Sequence, residues 1–534
     1  MSLYDDASLI AYPSGYKESK IYAQKPIDGT GDLTFARASS ATRVNEQGLI
    51  ETPSVLGSEL AVNGDFATDT DWTKTEPSTM SISGGKAIFA STTSNQYFTS
   101  INFAMTVGKV YVVEYTISDY VSGGVYLQRP FDTSSDVSSA NGTYKFTLVA
   151  TQTSVRIRTT GNWPYPLHTL KIDNVSVKEV ITSNIPRIDY TGGGCGSLLL
   201  EPQRTNLITE SQDFSGNWST SAVTINSNAA TSPDGATNAS KVTPTTSTSV
   251  KYISTTAAVV SGVDYTFSFF AKAGGYDYVS TYISALGITG GNWNLATGVA
   301  TGTGKSMEDY GNGWWRCTAT GTSTGTSASC RIYSHPTAST SFTGNGVDGV
   351  YVYGAQVEAG SYPTSYIPTS GTTVTRVADS SSTTGLSSVI NSEEGVLYAE
   401  ISALANDGTT RAISISDGTS NNRLVIFYDT TSNKVNVFAK VSNTNQAIMN
   451  FIVTDATSLN KIAVKYKLND YSLWINGVEV DTDISATTFT SSTLTTLSFA
   501  DGNTTSSPFY GNVQNLMVFP SALDDATLAT LTTL

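Results

Sequence analysis

Hydrophobic and polar residues alternate along most of this chain, in short runs that turn residues separate. A period of two places one set of side chains in a core and the other in water, as in half-buried strands. Between residues 56 and 182, the alternation predicts strands at Lys86–Phe89, Val110–Ile117, Tyr144–Leu148, Val155–Arg158 and Leu170–Val177. The pattern therefore predicts a first two-layer β-sandwich over residues 56–182.

Residues 205–372 repeat the plan of this first module. Asp213, Phe214 and Trp218 open it in the way that Asp65, Phe66 and Trp72 open the first module. Its closing strand, Val350–Glu358, corresponds to Ile172–Val177. Two units with one order of landmarks indicate a duplicated fold.

Residues 373–534 form a third strand-rich module. Hairpin turns are predicted at Asn469-Asp470 and Asn476-Gly477, between runs of β-branched and aromatic residues. Near the end, Ser521–Leu531 has a helical pattern, with Ser521 as the predicted N-cap.

The segments outside these modules are a leader, residues 1–55, and a connector, residues 183–204. Frequent turn signals interrupt the leader, which favours an extended arm that docks on another protein; a strand that completes the first sandwich is the alternative. Gly192–Gly194 and Pro202 mark the connector as a joint, and Leu198–Leu200 is predicted to be a short buried strand.

The composition supports an all-β protein of tandem β-sandwiches. Only 14% of the 534 residues are charged and 10% are aromatic, while Ser, Thr and Gly are abundant. The net charge of −14 makes nucleic acid an improbable partner. No apolar run is long enough for membrane insertion, and the acidic N-terminus does not resemble a signal peptide. The composition is typical of extracellular β-proteins, yet no secretion signal is predicted. A virus particle that is assembled in the cytoplasm and released by lysis would explain both features.

The first two modules resemble jelly-roll carbohydrate-binding modules, on the N-x-D-F…W opening and the V-x-V-x-E closing strand. The third resembles concanavalin A-like and laminin-G-like lectin domains. Its matching features are Leu473–Gly477, Gly511–Phe519 and the helix that follows. These resemblances imply jelly-roll folds and lectin-like surfaces.

Four stretches resemble structural fibre proteins of tailed bacteriophages. They are MSLYDDASLIAYPSGYKESKIYAQKP, FARASSATRVNEQGLIE, IPRIDYTGGGCGSLLLEPQRTNLI and YGAQVEAGSYPTSYIPT. The resemblance implies a head-fibre or tail-fibre protein of the virion, attached to capsid or tail proteins through the leader. It also implies a homo-oligomer, with a trimer favoured. Because no long heptad repeat is present, subunits are expected to meet through β-module faces or the leader.

Sugar recognition needs exposed aromatic faces together with polar groups for the hydroxyls. The predicted carbohydrate platforms lie in Gly-, Pro- or Asn-rich loops and are Trp163, Tyr165, Tyr276, Tyr278 and Trp293. A half-buried scaffold role is the alternative for each. The predicted partners are glycans of the host surface or the environment.

No cofactor is expected, although a structural calcium ion is a further hypothesis. Calcium prefers clustered oxygen ligands, and Asp65, Asp173, Asp213 and Glu358 fall at equivalent strand ends of the first two modules. Polar capping of strand ends is the alternative.

The sequence predicts that the protein is not an enzyme. Concanavalin-like glucanases place glutamates on one strand face as E-x-D-x-x-E, and this chain lacks that motif. It also lacks the G-x-S-x-G, P-loop and H-E-x-x-H patterns. A virion fibre that binds glycans is the leading hypothesis, and a purely structural decoration protein or a capsule depolymerase is the alternative.

Overall fold

The computed structural model describes residues 3–11, 13, 15–101, 103–129, 136–160, 167–337, 341–502 and 506–534. Two compact units are present: Ser54–Thr182 forms the smaller one, and Met1–Pro53 joins Ser183–Leu534 in the larger one. The regular secondary structure of the described residues is almost all β, with 51% of residues in strands of antiparallel sheets and 3% in helices, which confirms the predicted class of tandem β-sandwiches. No helix in these ranges is long and apolar enough to cross a membrane.

The leader contains one helical turn and six short strands. They are α1 (Leu3–Asp6), β1 (Leu9–Ile10), β2 (Tyr16–Lys17), β3 (Lys20–Ile21), β4 (Leu33–Ala36), β5 (Arg43–Val44) and β6 (Ile50–Glu51).

The smaller unit is a two-sheet sandwich. Its strands are β7 (Val55–Glu59), β8 (Trp72–Lys74), β9 (Met80–Ile82), β10 (Ala87–Thr92), β11 (Tyr97–Ser100), β12 (Val110–Ser122), β13 (Val125–Arg129), β14 (Gly142–Val149), β15 (Arg156–Thr159) and β16 (His168–Ile181). One sheet has the order β14-β12-β16-β10-β9, with β7 beside β16, and the other has the order β13-β15-β11-β8. In β12, Tyr111, Val113 and Tyr115 are fully buried while the intervening residues are partly exposed, as the alternation predicts.

The connector supplies β17 (Ile188–Asp189), β18 (Ser197–Leu200) and β19 (Arg204–Asn206), and a second sandwich follows. Its elements are β20 (Ser219–Ser221), β21 (Val223–Thr231), β22 (Thr237–Pro244), β23 (Thr248–Val250), β24 (Tyr252–Ala258), β25 (Asp264–Gly274), β26 (Tyr278–Ile283), a 3-10 helix (Ser284–Leu286), β27 (Trp293–Asn294), β28 (Val299–Ala300), β29 (Lys305–Asp309), β30 (Trp314–Thr322), β31 (Ser327–His335), β32 (Ser341–Thr343) and β33 (Gly349–Ala359). Its main sheets have the orders β20-β24-β31-β26-β27-β28 and β21-β22-β33-β25-β30-β29.

The first two sandwiches share internal details that support the predicted duplication. Phe66 packs on Trp72 with ring centroids 5.2 Å apart, and Phe214 packs on Trp218 at 4.9 Å. Each Trp donates its indole N–H to a backbone carbonyl that lies eight or nine residues earlier in the chain.

The C-terminal sandwich contains the remaining elements. They are β34 (Val374–Arg376), β35 (Ser380–Thr384), β36 (Glu394–Ala403), β37 (Arg411–Ser416), β38 (Arg423–Tyr428), β39 (Lys434–Val441), β40 (Thr444–Ile452), β41 (Asn460–Lys467), β42 (Tyr471–Ile475), β43 (Val478–Asp483), β44 (Thr496–Ser498), β45 (Gly511–Phe519) and α2 (Asp525–Thr532). Asn469 and Asn476 have positive φ in the tight turns of the β41–β42 and β42–β43 hairpins, at the predicted places.

Strands β1 to β4 of the leader join the sheets of the C-terminal sandwich. Strand β1 pairs with β45, and β2, β3 and β4 extend the sheet β2-β3-β4-β35-β44-β37-β38-β39-β40. The connector strands β17 and β18 join the opposite sheet, β17-β18-β45-β36-β41-β42-β43. The leader and the connector therefore complete the C-terminal sandwich, since their short strands hydrogen-bond to strands of both of its sheets.

The C-terminal helix begins later than the sequence pattern predicts. Asp524, rather than Ser521, is the N-cap, and its Oδ1 accepts a hydrogen bond of 2.7 Å from the backbone N–H of Thr527. A carboxylate at this position also complements the helix dipole.

Candidate functional site

A β-hairpin of the leader lies beside the second sandwich. Strands β5 and β6 pair through Val44 and Ile50, and the turn between them is organised by Asn45, whose Oδ1 accepts hydrogen bonds from the N–H groups of Gln47 and Leu49. The backbone N–H of Ile50 donates to the carbonyl of Pro233, at 2.8 Å. The hairpin is thus fixed to the second sandwich by its own backbone.

Asp189 of the connector holds the other side of this hairpin. One of its oxygens accepts the N–H of Val44 at 2.8 Å, and the other accepts the N–H of Thr191 at 3.1 Å. The exposed run Gly192–Gly194 follows, with φ near +80° at all three positions, a conformation that glycine adopts without strain. The connector can therefore turn sharply here and leave open space beside Tyr190.

The hairpin, the connector and the second sandwich enclose two adjoining chambers, which we name the junction cleft. The inner chamber has a volume of about 270 Å³ and is lined by Asp189, Glu201, Glu308, Tyr310, Arg316 and Tyr362, among others. The outer chamber has a volume of about 450 Å³ and is lined by Glu46, Tyr190, Gly192–Gly194 and Asp309, among others. The two chambers share Val44, Thr191 and Tyr310. Both are open to solvent, and their size is that of a small-ligand site.

Aromatic rings line both chambers. Tyr190 is half-buried and donates its hydroxyl to Glu46 at 2.9 Å. Tyr310 is half-buried in the same way, and its ring packs edge-on against Phe270 with centroids 4.9 Å apart. Burial raises the pKa of the Tyr310 hydroxyl, so it stays protonated and remains a hydrogen-bond donor. The rings of Tyr190 and Tyr310 are therefore held in place by these contacts, and part of each ring remains accessible to solvent.

A carboxylate and a guanidinium face each other in the inner chamber. Glu308 on β29 and Arg316 on β30 are directly opposite in the antiparallel register. The Glu308 side chain is solvent-exposed within the described chain, yet the surrounding protein raises its pKa by desolvation, with Arg316 opposing the shift and Asp189 adding to it. Arg316 is only 4% exposed; its Nη2 donates to Ser268 and to the carbonyl of Thr364.

A buried ionic network forms the wall behind the inner chamber. Its members are Arg37, Arg187, Arg376, Glu201 and Asp379, each at most 3% exposed. Arg187 contacts both carboxylates, Arg376 pairs with Glu201 at 2.9 Å, and Arg37 pairs with Asp379 at 3.0 Å. Burial alone would raise the pKa of Glu201, but Arg376 and Arg187 hold it well below its usual range. Burial lowers the pKa of Arg37 to about 10, although Asp379 partly offsets this effect.

The network joins segments that are distant in sequence. Arg37 belongs to the leader, Arg187 and Glu201 to the connector, and Arg376 and Asp379 to the start of the C-terminal module. Ser365, from the exit of the second sandwich, adds a backbone N–H and a hydroxyl to Glu201, both at 2.7 Å. Three of the stretches that resemble phage fibre proteins thus meet at one place in the fold.

The predicted carbohydrate platforms do not converge on one surface. Trp163 and Tyr165 lie outside the described residues. Trp293 is fully buried, packs edge-on against Phe269 and donates its indole N–H to the carbonyl of Ser306, so its prediction as a stacking face is wrong. The prediction relied on the glycine-rich sequence around Trp293, which is typical of an exposed loop. In the structure Trp293 belongs to the short strand β27, and its side chain points into the core.

Tyr276 and Tyr278 lie near each other but have different environments. Tyr276 is 7% exposed and packs edge-on against Phe342, which leaves almost no face for a sugar and contradicts its prediction. Tyr278 is half-buried and stacks on His335 at 6.0 Å with an interplanar angle of 16°. Of the two tyrosines, only Tyr278 keeps a partly accessible ring.

The predicted calcium ligands lie two in each of the first two sandwiches. Asp65 and Asp173 belong to the smaller unit, and Asp213 and Glu358 to the larger. Glu358 is fully buried, and its oxygens accept hydrogen bonds from Gln356 and from the N–H and hydroxyl of Thr364, so its prediction as a ligand is wrong. Asp213 is exposed and accepts from the N–H and hydroxyl of Ser215. Within the described ranges, no group of three or more His, Cys, Asp or Glu is placed to hold a metal ion.

The junction cleft was not predicted, although two signals for it are present in the sequence. The first signal is that Tyr190 is followed closely by three glycines, Gly192–Gly194. Glycines favour a turn, and an aromatic residue beside a turn is expected to be exposed. The second signal is that Glu308 and Arg316 flank the predicted turn Gly311–Gly313. A β-hairpin around this turn places the two residues directly opposite each other.

No family model matches this chain, and no curated protein matches it. Solved structures with partial similarity include the carbohydrate-binding module CBM40 of the Ruminococcus gnavus IT-sialidase bound to α2,3-sialyllactose, with 17% identity over 26% of this chain and 83% of that chain and a TM-score of 0.23. The botulinum neurotoxin serotype G binding domain is similar at 11% identity over 28% of this chain and 39% of that chain, with a TM-score of 0.24. A SAP-like pentraxin from Limulus polyphemus is similar at 14% identity over 26% of this chain and 70% of that chain, with a TM-score of 0.20. At these scores the similarities carry no argument about the ligand of this chain.

Proposed function

We propose that this protein is a fibre or decoration protein of a tailed-bacteriophage virion, and that it binds glycans without cleaving them. The virion assignment is supported by the four stretches that resemble phage fibre proteins. In this proposal the protein is a homo-oligomer, attached to capsid or tail proteins and exposed to the outside after lysis.

The observation that carries glycan binding is the junction cleft. It combines accessible tyrosine rings with hydroxyl, carboxylate and guanidinium groups in an open space of ligand size. Apolar ring faces and convergent polar groups are what a sugar, with its C–H faces and hydroxyls, needs for recognition. The cleft lies in the part of the chain where three of the fibre-like stretches meet, which gives those stretches a shared role.

A glycan array probed with the full chain tests this proposal. We expect binding that Tyr190→Ala weakens about tenfold, since a lost stacking face costs about 1–2 kcal/mol. Tyr97→Ala is the matched control, because Tyr97 is a half-buried strand tyrosine of the smaller unit that does not line the cleft. An array without any binding would leave only the purely structural role.

The virion assignment has its own test. Antibodies against the purified protein should label intact phage particles at the head or the tail, and proteomics of purified particles should recover the chain. Particles that contain no copy of this chain would refute the assignment, whatever the glycan array gives.

A capsule depolymerase is the second candidate, and one observation favours it. Glu308 and Asp189 both line the inner chamber, and glycosidases use a pair of carboxyl groups. Incubation of purified protein with host capsule, followed by a reducing-end assay, tests it. Release of oligosaccharide that Glu308→Gln abolishes would establish hydrolysis, and intact capsule would support binding alone.

A further inference from the structure

The inner chamber of the junction cleft presents one hydrogen-bond acceptor and one donor from adjacent strands. Glu308 and Arg316 are register partners of β29 and β30, and side chains of directly opposite residues point to the same face of the sheet. Both residues line the chamber. Within the described chain, the Glu308 carboxylate has no hydrogen-bonded partner.

Arg316 is a buried cation of the chamber lining. Its guanidinium is held by Ser268, the carbonyl of Thr364 and the face of Phe270, and it lies beside Glu308 in the strand register. A ligand hydroxyl is suited to this environment because it can accept from Arg316 and donate to Glu308.

The charge around the cleft disfavours an acidic ligand. Among the described lining residues of the two chambers, the carboxylates are Glu46, Asp189, Glu201, Glu308 and Asp309, and the cations are Arg43 and Arg316. Arg187 and Arg376 neutralise Glu201, while Arg43 is paired with Glu51 at 2.8 Å. The outer chamber contains Glu46 and Asp309 but no cation among these residues. The chain as a whole adds a net charge of −14.

We infer that the junction cleft selects non-acidic glycans, with a pair of sugar hydroxyls bound between Glu308 and Arg316 and a ring face on Tyr190 or Tyr310. This inference rests on the proposed glycan binding and adds the class of sugar. Uronic-acid and sialic-acid polymers are disfavoured because the carboxylates that line the two chambers outnumber the cations.

An array that contains three classes of oligosaccharide tests the inference with the full chain. The probes are neutral glucans, mannans and galactans, acidic colominic acid and alginate oligosaccharides, and cationic chitosan oligosaccharides. We expect neutral probes to bind at least about tenfold more tightly than acidic ones at low salt, since like charges within the cleft repel at short range. The preference should shrink as salt is raised.

Two variants connect that preference to the cleft. Glu308→Gln keeps the shape of the side chain but removes the charged acceptor, and it should weaken neutral binding about tenfold, because charge-assisted hydrogen bonds are the stronger ones. Asp309→Asn in the outer chamber should improve the binding of acidic probes, because it removes a like charge from the cleft. Glu393→Gln, an exposed carboxylate that does not line the cleft, is the matched control for both.

The outcomes separate this inference from the function on which it rests. Tight binding of acidic probes, weakened by Glu308→Gln, would overturn the selectivity and leave glycan binding intact. Neutral binding that neither variant changes, with both variants folded by circular dichroism, would overturn the assignment to this cleft. An array without any bound probe would overturn the proposed glycan binding together with the inference.

Discussion

Arg376 and Glu201 form an ion pair of 2.9 Å in which neither side chain is more than 2% exposed. A buried pair of this kind repays its desolvation only while both partners remain, since removal of one leaves an uncompensated charge in the interior. The pair belongs to the ionic network that joins the leader, the connector and the start of the C-terminal module.

Glu201→Gln should therefore lower the free energy of unfolding by about 3–5 kcal/mol, because Arg187 and Arg376 would lose their shared carboxylate. Differential scanning calorimetry of the full chain measures the effect. Glu179→Gln, which breaks the exposed pair with Lys109, is the control and should cost about 1 kcal/mol or less. Equal effects of the two substitutions would contradict the role given to the network.

Trp293→Ala should destabilise the protein by about 3–5 kcal/mol, as expected for a large core side chain. Trp293→Phe should cost less, because it keeps most of the packing against Phe269 and loses the hydrogen bond to Ser306. Chemical denaturation measures both values. An alanine variant of unchanged stability that lost glycan binding would restore Trp293 as a sugar platform.

Lys305 provides a prediction of pH dependence. Burial lowers the pKa of its ammonium to about 8, with the thiol of Cys317 opposing the shift. The unfolded chain then binds more protons than the folded chain between pH 8 and the ordinary lysine range, so the free energy of unfolding rises with pH across that interval. Below pH 8 the residue is protonated in both states, and its unfavourable contribution is constant.

Lys305→Met should remove this rise, because methionine does not titrate. The test is the difference in unfolding free energy between the parent and the variant at pH 7.5, 8.5 and 9.5, which cancels the contributions of other groups. A difference that is constant over these three values would show that the ammonium is not perturbed.

Gly511→Ala should destabilise the C-terminal sandwich, because a Cβ at this position would lie 2.1 Å from the carbonyl oxygen of Ser402 on the paired strand β36. The cost should be about 1–3 kcal/mol, as for other forced contacts in a packed interior. Gly325→Ala is a matched control, since its Cβ would meet only Ala285 at 3.8 Å. Thermal unfolding of the two variants checks the prediction, and equal midpoints would refute it.

The strands were predictable because their side chains alternate over long runs. The β12 strand and the buried Leu198–Leu200 strand follow from this pattern alone, since periodicity reports which side chains are buried. The pattern does not report which strands pair. Strand β1 has only two residues, too few to show a period, and its partner β45 lies near the other end of the chain.

The cleft was less accessible to sequence reasoning for a related reason. Glu308 and Arg316 become neighbours through a hairpin register, whereas Asp189, Tyr190 and Tyr362 reach the same space by tertiary packing. Exposure was also misjudged where loop composition was the only guide, as Trp293 shows.

The pairing of β1 with β45 has a consequence for the order of events during synthesis. Ser8 donates its hydroxyl to the carbonyl of Val518, 510 residues later in the chain, so the pairing of β1 with β45 cannot form until that later segment has been synthesised. The unit Ser54–Thr182 has its own sheets and core and can close while later codons are still being decoded. The pairing of β1 with β45 therefore forms after this unit is able to fold, and contacts of such long range form slowly.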